Sequence, residues 1–271
     1  MQDGMAYVMF GRSERLQDIS IVRDKFDVSK IKCSEKAKEE NDLLDERAEE
    51  RKKRNNFFEE GKLHIGFINI RSMREHWQDF IADGSFQKCQ VIGLCETWLH
   101  KDEEVNLEDY DAEVVNVGRG QGVVAFNNVQ ANVVYKLGSP KLSIIALEFS
   151  QWLVIFMYAS QGAQSQDIIS KLANLFCHAS DIIVVGDMNW DYFGQDNAIK
   201  RFFQQNDFVQ LIANPTHEQG GLLDHVYVRG EDSEKKVTVY QKARYYSDHD
   251  AIFIKINMRI CLVRLVIKTC D

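Results

Sequence analysis

Short apolar runs separated by polar segments fill the chain from about Lys62 onward. Their shortness and their content of β-branched and aromatic residues are typical of buried strands. The pattern predicts strands at 63–69, 91–96, 112–117, 122–127, 131–137, 142–149, 152–158, 181–186, 223–228, 236–241 and 251–257. Apolar residues recur at helical spacing between some of these runs, which predicts helices around 72–83, 165–178 and 195–206.

Two groups of predicted strands, 112–137 and 142–158, contain no helical pattern. Parallel neighbours need long crossover connections, so these groups argue against a purely parallel, doubly wound sheet. We predict an α+β sandwich of two mostly antiparallel sheets packed face to face. Its helices would cover the outer faces, and its strand ends and loops would meet at one rim.

Charge divides the chain into segments. Residues 29–61 are rich in Lys, Glu, Asp and Arg, which predicts a charged helical connector. We therefore place a separate N-terminal segment at 1–28, one domain at 62–257 and an unassigned tail at 258–271. The basic run Arg51-Lys52-Lys53-Arg54 is interpreted as a solvated helix face, with a nuclear signal as the alternative.

Composition limits the class of protein. A hydrophobic content of 45% supports a sizeable core, while a net charge of −8 argues against a protein that coats nucleic acid with a basic surface. The six cysteines are scattered without zinc spacing, which argues against a structural zinc site and indicates reduced thiols in an intracellular compartment. No apolar run approaches the roughly 20 residues of a membrane span, so we expect no membrane partner.

Polar side chains stand at or near the ends of several of the predicted strands. These junctions are Asn69, Glu96-Thr97, Gly186-Asp187-Met188-Asn189, Leu223-Asp224-His225 and Ser247-Asp248-His249. Magnesium takes hard oxygen ligands, usually one or two carboxylates, and Glu96 and Asp248 suit that role. Asn69 offers a further neutral contact. The strand ends therefore predict a metal-assisted site.

The other junction residues suit proton transfer and phosphate binding. Asp187 and Asn189 are two apart at a strand's exit, so they would offer a base or water-positioning group beside an amide that contacts phosphate. His249 near a carboxylate would keep its proton and offset developing negative charge. Asp224 is the natural carboxylate to orient it.

Together with Tyr158, these junctions resemble the ordered motifs of the endonuclease/exonuclease/phosphatase (DNase I-like) superfamily over about Lys62 to Ile256. The resemblance implies a four-layer α/β/β/α sandwich and metal-assisted phosphodiester hydrolysis. It implies Mg²⁺, with Mn²⁺ as an alternative, held by Glu96 with Asp248 and Asn69 nearby.

The same resemblance assigns the remaining catalytic roles. Asp187 would orient or deprotonate water, and Asn189 would hold the scissile phosphate. Tyr158 would contact the phosphate or the leaving group. His249, paired with Asp224, would stabilise the transition state. One departure is Met188, where the superfamily most often has phenylalanine, and we expect little catalytic effect because this side chain should face the core.

The N-terminal segment carries a second resemblance. Ala6-Tyr7-Val8-Met9-Phe10-Gly11-Arg12 is similar to the last conserved motif of transposon-encoded superfamily 1 DNA helicases, in which the arginine reaches ATP phosphate. The chain has no Gly-x-x-x-x-Gly-Lys-Ser/Thr loop. A helicase stub followed by an endonuclease resembles Helitron-type transposon proteins, so the remainder of a helicase chain is an expected partner. The alternative is an ordinary N-terminal extension.

The sequence restricts the fold more closely than it restricts the substrate. We predict a nuclear DNA endonuclease that leaves 3′-hydroxyl and 5′-phosphate ends. The alternatives are a phosphatase or phosphodiesterase acting on a small or lipid phosphoester, and a non-catalytic DNA-binding remnant. Candidate DNA contacts are Arg71, Arg119, Arg244 and Trp190, and each has an ordinary structural reading as a solvated arginine or a packed aromatic. The sequence does not predict the oligomeric state.

Overall fold

The computed structural model describes residues 52–53, 57–101, 103–118, 120–194 and 197–259, with only the backbone of 233, 234 and 259. Backbone contacts divide the chain between Phe57 and Phe58, and nearly all described residues follow that division. The predicted N-terminal segment 1–28, most of the connector 29–61, most of the tail 258–271 and Arg119 lie outside the described residues.

Two six-stranded sheets form the centre of the domain. The strands are β1 Lys62–Asn69, β2 Val91–Cys95, β3 Asp111–Val115, β4 Val123–Asn127, β5 Asn132–Gly138, β6 Leu142–Phe149, β7 Trp152–Ala159, β8 Asp181–Asp187, β9 Val209–Gln210, β10 Asp224–Arg229, β11 Val237–Lys242 and β12 Ala251–Arg259. The helices are α1 Met73–Ala82, α2 Ser165–Leu175, α3 Ala198–Gln205 and α4 Ser233–Lys236, with a 3₁₀ turn at Phe86–Lys88.

Each sheet contains one parallel pair of strands among antiparallel neighbours. The first sheet has the order β11-β12-β1-β2-β4-β3, and the second has the order β5-β6-β7-β8-β10-β9. The pairs β1/β2 and β7/β8 are parallel, and the remaining pairs are antiparallel. Helix α1 makes the crossover of the first pair and α2 that of the second, as parallel neighbours require. The predicted mostly antiparallel architecture is confirmed.

Hydrophobic cores separate four layers. Side chains from both sheets, among them Phe67, Phe156 and Ile254, form the core between the sheets. Leu172 of α2 and Phe203 of α3 pack on the outer face of the second sheet. Phe80 of α1 contacts Phe86, which in turn contacts Phe253 of the first sheet. The α/β/β/α sandwich is therefore the observed fold.

The predicted strands lie within two residues of the observed ones. The strand run 112–137 is divided between sheets, because β3 and β4 pair in the first sheet and β5 starts the second. The two-residue β9 and the short α4 have no predicted counterpart. Strand β12 continues to Arg259, past the predicted domain end at 257. No helix in the described part of the chain has the length and apolarity needed to span a membrane.

Candidate active site

The sheet topology brings the polar strand ends to one rim. Asn69 ends β1, Glu96 follows β2, and Asp187 ends β8. Antiparallel neighbours begin where these strands end. Asp224, the first residue of β10, is therefore directly opposite Asp187, and His249 precedes β12, the partner of β1. The carboxyl ends of two parallel pairs, one in each sheet, thus meet their antiparallel neighbours at a single site.

Asp187 is held by three hydrogen bonds at the end of β8. The side-chain amide of Asn69 donates to Oδ2 at 2.9 Å, and the amide of Asn189 donates to the same oxygen at 3.3 Å. The backbone N–H of Asn189 donates to Oδ1 at 2.9 Å. The preceding Gly186 has no room for a side chain, because a Cβ there would lie 2.1 Å from the carbonyl oxygen of Met157 on β7. Close packing of β8 against β7 therefore fixes the backbone position from which the Asp187 side chain extends.

Burial changes the proton affinity of Asp187. The side chain is 1% exposed, and burial, followed by the charge of Asp224, raises its pKa to about 7. His249 and the hydrogen bonds from Asn189 and Asn69 act in the opposite direction. A carboxylate with a pKa near neutrality can both accept and release a proton at physiological pH.

His249 is paired with Asp224 as predicted. Its Nδ1 lies 2.7 Å from Asp224 Oδ2, and both side chains are buried. Burial alone lowers the pKa of His249, but the charge and hydrogen bond of Asp224, with Asp187 and Asp248, outweigh it and raise the pKa to about 9. The imidazole is therefore a cation at neutral pH, with Nδ1–H donated to Asp224 and Nε2–H left for a ligand.

Asp187, Asp224 and His249 form one buried cluster, in which one ligand atom of each lies within 4.8 Å of the others. We call these residues together with Asn69 the floor. All four are at most 6% exposed, and the floor therefore holds its charges in a fixed, largely dry environment.

Four partly exposed side chains, Arg71, Glu96, His217 and Asp248, line the cleft above the floor, and we call them the wall. Glu96 Oε1 accepts a hydrogen bond from Tyr158 Oη at 3.0 Å. Asp248 Oδ2 pairs with Arg71 Nη1 at 2.6 Å and with His217 Nε2 at 3.3 Å. Asp248 Oδ1 is buried without a hydrogen-bond partner, which leaves a hard oxygen ligand available.

His217 is a site residue that no pattern in the sequence identifies. It forms an isolated β-bridge with His249, and its ring lies edge-on to the ring of His249 at 4.7 Å. Its Nδ1 accepts from the backbone N–H of Gln219 at 3.1 Å, so the ring proton is on Nε2 and is donated to Asp248. This tautomer makes His217 a donor that orients Asp248.

Backbone strain concentrates at the strand exits of this rim. Residues in or near the left-handed region are Arg71, Ser72, Glu96, Trp98 and Asn189, with φ of 52°, 130°, 50°, 55° and 52°. For non-glycine residues this conformation costs roughly 1–2 kcal/mol each. Such strain is typical of functional sites, because the surrounding structure must stabilise it.

The predicted site residues fall into two groups by location. The structure brings together Asn69, Glu96, Tyr158, Asp187, Asn189, Asp224, Asp248, His249 and Arg71 at the rim. Arg244 lies elsewhere, with its side chain 6% exposed, paired with Asp83 and stacked over Phe253. The Trp190 ring packs 4.3 Å from the ring of His225. The Arg244 side chain is thus buried and that of Trp190 partly buried, which fits structural packing.

The cleft between floor and wall has a volume of ≈ 510 Å³. Its lining adds Gln161, Asn189, Asp191, Gln219, Gly220, Gly221 and Leu223 to His249 and the wall. A cleft of this size takes a small molecule or one or two nucleotides of a larger ligand.

No family model and no curated protein matches the chain. Several solved structures share its fold at low identity. The 3′ phosphatase NExo from Neisseria, bound to a product DNA hairpin, has a TM-score of 0.62 and 14% identity, covering 72% of this chain and 100% of the other. An AP endonuclease from Archaeoglobus fulgidus has a TM-score of 0.58 and 15% identity, with coverage of 72% and 100%. The endonuclease domain of TRAS1, a telomere-specific non-LTR retrotransposon, has a TM-score of 0.55 and 10% identity, with coverage of 72% and 98%. The domain therefore has the DNase I-like fold.

Proposed function

We propose that the domain hydrolyses phosphodiesters with a divalent metal ion and that its substrate is DNA. The observation that carries this proposal is that one ligand atom each of Asp187, Asp224 and His249 lie within 4.8 Å of one another, beside an open cleft. This cluster combines a proton acceptor titrating near neutrality with a buried imidazolium. Attack of water on a phosphodiester needs both a group that takes the water's proton and a positive charge beside the phosphoryl oxygens.

The carboxylate oxygens of the wall are suitable ligands for a hard cation. Glu96 and Asp248 would hold Mg²⁺ or Mn²⁺, because both line the cleft and one oxygen of Asp248 has no partner. A bound ion would supply Lewis-acid polarisation of a phosphoryl oxygen. Asn69 is the third proposed ligand, although its amide nitrogen already donates to Asp187.

The floor and the residues beside it would perform the proton transfers and the charge stabilisation. Asp187, fixed by Asn69 and Asn189, would orient the attacking water and accept its proton. His249 would donate Nε2–H to a phosphoryl oxygen, while Asp224 keeps the ring charged and oriented. Asn189 would contact the scissile phosphate, and Tyr158 would hold Glu96 and reach the phosphate or the leaving group.

The finer proposal is an endonuclease that nicks DNA and leaves 3′-hydroxyl and 5′-phosphate ends. Likeness in fold to an AP endonuclease and to a retrotransposon endonuclease domain supports it by analogy. We also propose that the domain belongs to a mobile-element protein, works in the nucleus and has a helicase region as partner. The motif at 6–12 supports that last step.

The test incubates the full chain with supercoiled plasmid in Mg²⁺ and in EDTA. Nicking in Mg²⁺ that disappears in EDTA and in His249→Ala, and that falls in Glu96→Gln at limiting Mg²⁺, supports the proposal, and DNA ligase should reseal the nicks without end treatment. The exposed His178 provides the control, because His178→Ala should nick at the wild-type rate. Well-folded protein without activity in any arm would contradict the proposal.

A phosphatase is the second candidate, because a 3′ phosphatase bound to a DNA product is among the structures that share the fold. An oligonucleotide with a 3′-phosphate and an inositol polyphosphate, each incubated with the protein in Mg²⁺, test this candidate. Phosphate release from either compound without plasmid nicking would replace the endonuclease assignment by a phosphatase.

A further inference from the structure

Arg71 is the one lysine or arginine among the described residues that line the cleft. It follows the end of β1 by two positions, and its guanidinium Nη1 lies 2.6 Å from Asp248 Oδ2. The side chain of Arg71 is 51% exposed, whereas that of Asp248 is 15% exposed. The cation of this pair is therefore the partner that remains in contact with solvent.

The backbone of Arg71 is anchored more firmly than its side chain. Its N–H donates to Asn69 Oδ1 at 3.1 Å. In the described part of the chain, Asp248 is the one residue to which the guanidinium bonds. Because partly exposed ion pairs are weak, a stronger ligand for either group can separate them. The side chain can thus exchange one anionic partner for another while the backbone stays in place.

The carboxylate of Asp248 has a second use. Its Oδ2 faces Arg71 and His217, while its Oδ1 is buried without a hydrogen-bond partner. A divalent cation held by this carboxylate, as proposed above, would lie close to the positive charge of the guanidinium. Like charges at such short range repel each other. Arg71 therefore competes with a divalent cation for Asp248.

A phosphodiester would offer Arg71 a better partner than Asp248. Guanidinium groups bind phosphate oxygens through two parallel N–H donors, whereas the pair with Asp248 uses Nη1 and a single oxygen. A phosphate in the cleft would also meet the carboxylates of Glu96, Asp191 and Asp248, which line it. An arginine released from Asp248 would offset that repulsion.

We propose that Arg71 is an exchangeable counterion, which pairs with Asp248 until a divalent cation takes this carboxylate and then binds a phosphate of the DNA. Metal and DNA thereby bind cooperatively, because each favours the separation of Arg71 from Asp248 that the other requires. Such coupling is reciprocal, so that each ligand raises the affinity for the other by the same factor. The inference rests on the proposed function and specifies how metal and substrate assemble at the wall.

Binding of Mn²⁺ to the full chain without DNA tests the competition. Unbound Mn²⁺ is measured by electron paramagnetic resonance during a titration. We expect Arg71→Ala to bind Mn²⁺ about 3- to 10-fold more tightly than wild type, because the competing charge is removed. Arg71→Lys keeps that charge and should stay close to wild type. Equal or weaker Mn²⁺ binding by Arg71→Ala would overturn the inference.

Arg74 provides the matched control for this titration. It lies three positions further along the chain and forms a 2.8 Å ion pair with Glu103, and neither residue lines the cleft. Arg74→Ala removes the same charge from the same region of the surface, and its Mn²⁺ affinity should equal that of wild type. Tightening in Arg74→Ala as large as in Arg71→Ala would contradict a specific competition at Asp248.

DNA binding tests the contact with phosphate. A labelled phosphorothioate duplex, which resists hydrolysis, is titrated with the full chain in Mn²⁺ at several NaCl concentrations, and fluorescence anisotropy gives the affinity. Loss of one phosphate contact should reduce the slope of log affinity against log salt by about 1 in Arg71→Ala. Arg71→Lys should keep the slope of wild type. An unchanged slope in Arg71→Ala would contradict the contact.

Nicking separates this inference from the proposed function. In Arg71→Ala, the Mg²⁺ concentration for half-maximal nicking at limiting plasmid should fall, whereas KM for plasmid at saturating Mg²⁺ should rise. A disturbed fold would raise both values, and that result would contradict the exchange. Absence of nicking by wild type would contradict the proposed function, while the Mn²⁺ and DNA titrations would still decide the role of Arg71.

Discussion

The floor and the wall of the cleft differ in burial. Floor residues are buried and bonded mainly to one another, as in the Asn69–Asp187 and His249–Asp224 pairs. Wall residues are partly exposed and line the cleft. Each group keeps one carboxylate oxygen without a hydrogen-bond partner, Asp224 Oδ1 in the floor and Asp248 Oδ1 in the wall. A buried network is suited to setting proton affinities, whereas ligands that line an open cleft are suited to taking up an ion. The difference teaches that proton chemistry and metal binding can be disrupted separately.

Removing the carboxylate of the floor should have the largest effect. Asp187→Asn keeps the shape of the side chain but loses the proton acceptor, so we expect kcat for nicking to fall about 10²–10⁴-fold. The pKa of Asp187 is raised by burial, so the folded state is stabilised by its protonation at low pH and loses that stability as pH rises through about 7. The midpoint of thermal unfolding at pH 8 should therefore not fall. A large fall in that midpoint would show that Asp187 is structural instead.

Changing the wall should alter the metal requirement more than the maximal rate. Glu96→Gln removes a proposed metal ligand, and we expect the Mg²⁺ concentration for half-maximal nicking to rise about 100-fold. Saturating Mg²⁺ should restore a substantial part of the activity. We expect Asp187→Asn to lose activity at every Mg²⁺ concentration. The same result for Glu96→Gln would contradict the separation of metal binding in the wall from proton transfer in the floor.

Below the floor, His225 should make stability depend on pH. Its Nε2 faces the carbonyl oxygens of Trp190 and Leu222, and burial lowers its pKa to about 4. The neutral form is therefore the folded form, and stability is full above the unfolded pKa of roughly 6.5 and is lost as pH falls towards 4. At pH 5 this loss amounts to about 2 kcal/mol of unfolding free energy.

Denaturant titration of wild type and His225→Gln between pH 7.5 and 4.5 measures that contribution. The difference in unfolding free energy between the two proteins should shrink as the pH falls, since Gln does not take up a proton. His178→Gln, which changes an exposed histidine, should follow wild type throughout. Parallel curves for His225→Gln and wild type would contradict the prediction.

The smallest expected effect comes from the hydrogen bond between His217 and Asp248. Loss of a residue that orients a metal ligand costs 10- to 100-fold in affinity, and we place His217→Ala near tenfold in the Mg²⁺ requirement. His217→Gln can still donate to Asp248 and should recover much of this. Recovery is the informative result, because an effect on folding alone would not distinguish Gln from Ala in Mg²⁺ titration.

Much of the sandwich could be predicted from the sequence because its strands are buried and short. The alternation of apolar runs with polar segments predicted the bounds of β1, β8 and the neighbouring strands to within two residues. The pattern did not reveal β9, because two residues give no period. It predicted β4 and β5 as separate strands but did not show that they belong to different sheets, since a change of sheet depends on long-range pairing.

The floor was accessible from sequence for a physical reason. Asp187, Asp224 and His249 each stand at a strand end, and a sheet gathers such ends at one edge. His217 was not accessible, because its position depends on a single bridge to His249 that no local pattern encodes. The buried Thr216 is another case, since its hydroxyl accepts the backbone N–H of Leu223 and of Asp224 and thereby fixes the start of β10.

The pairing of β1 with β12 has a consequence for how this domain can be combined with others. Lys62 lies opposite Arg259 at the end of the pair that is remote from Asn69. The start of β1 and the end of β12 therefore lie side by side, at the end of this strand pair that is remote from the rim with Asn69. Adjacent termini of this kind allow a domain to be inserted within a longer polypeptide without disturbing its interior. Sequence joined to these two strand ends can therefore change without blocking the cleft, which lies at the opposite rim of the sheets.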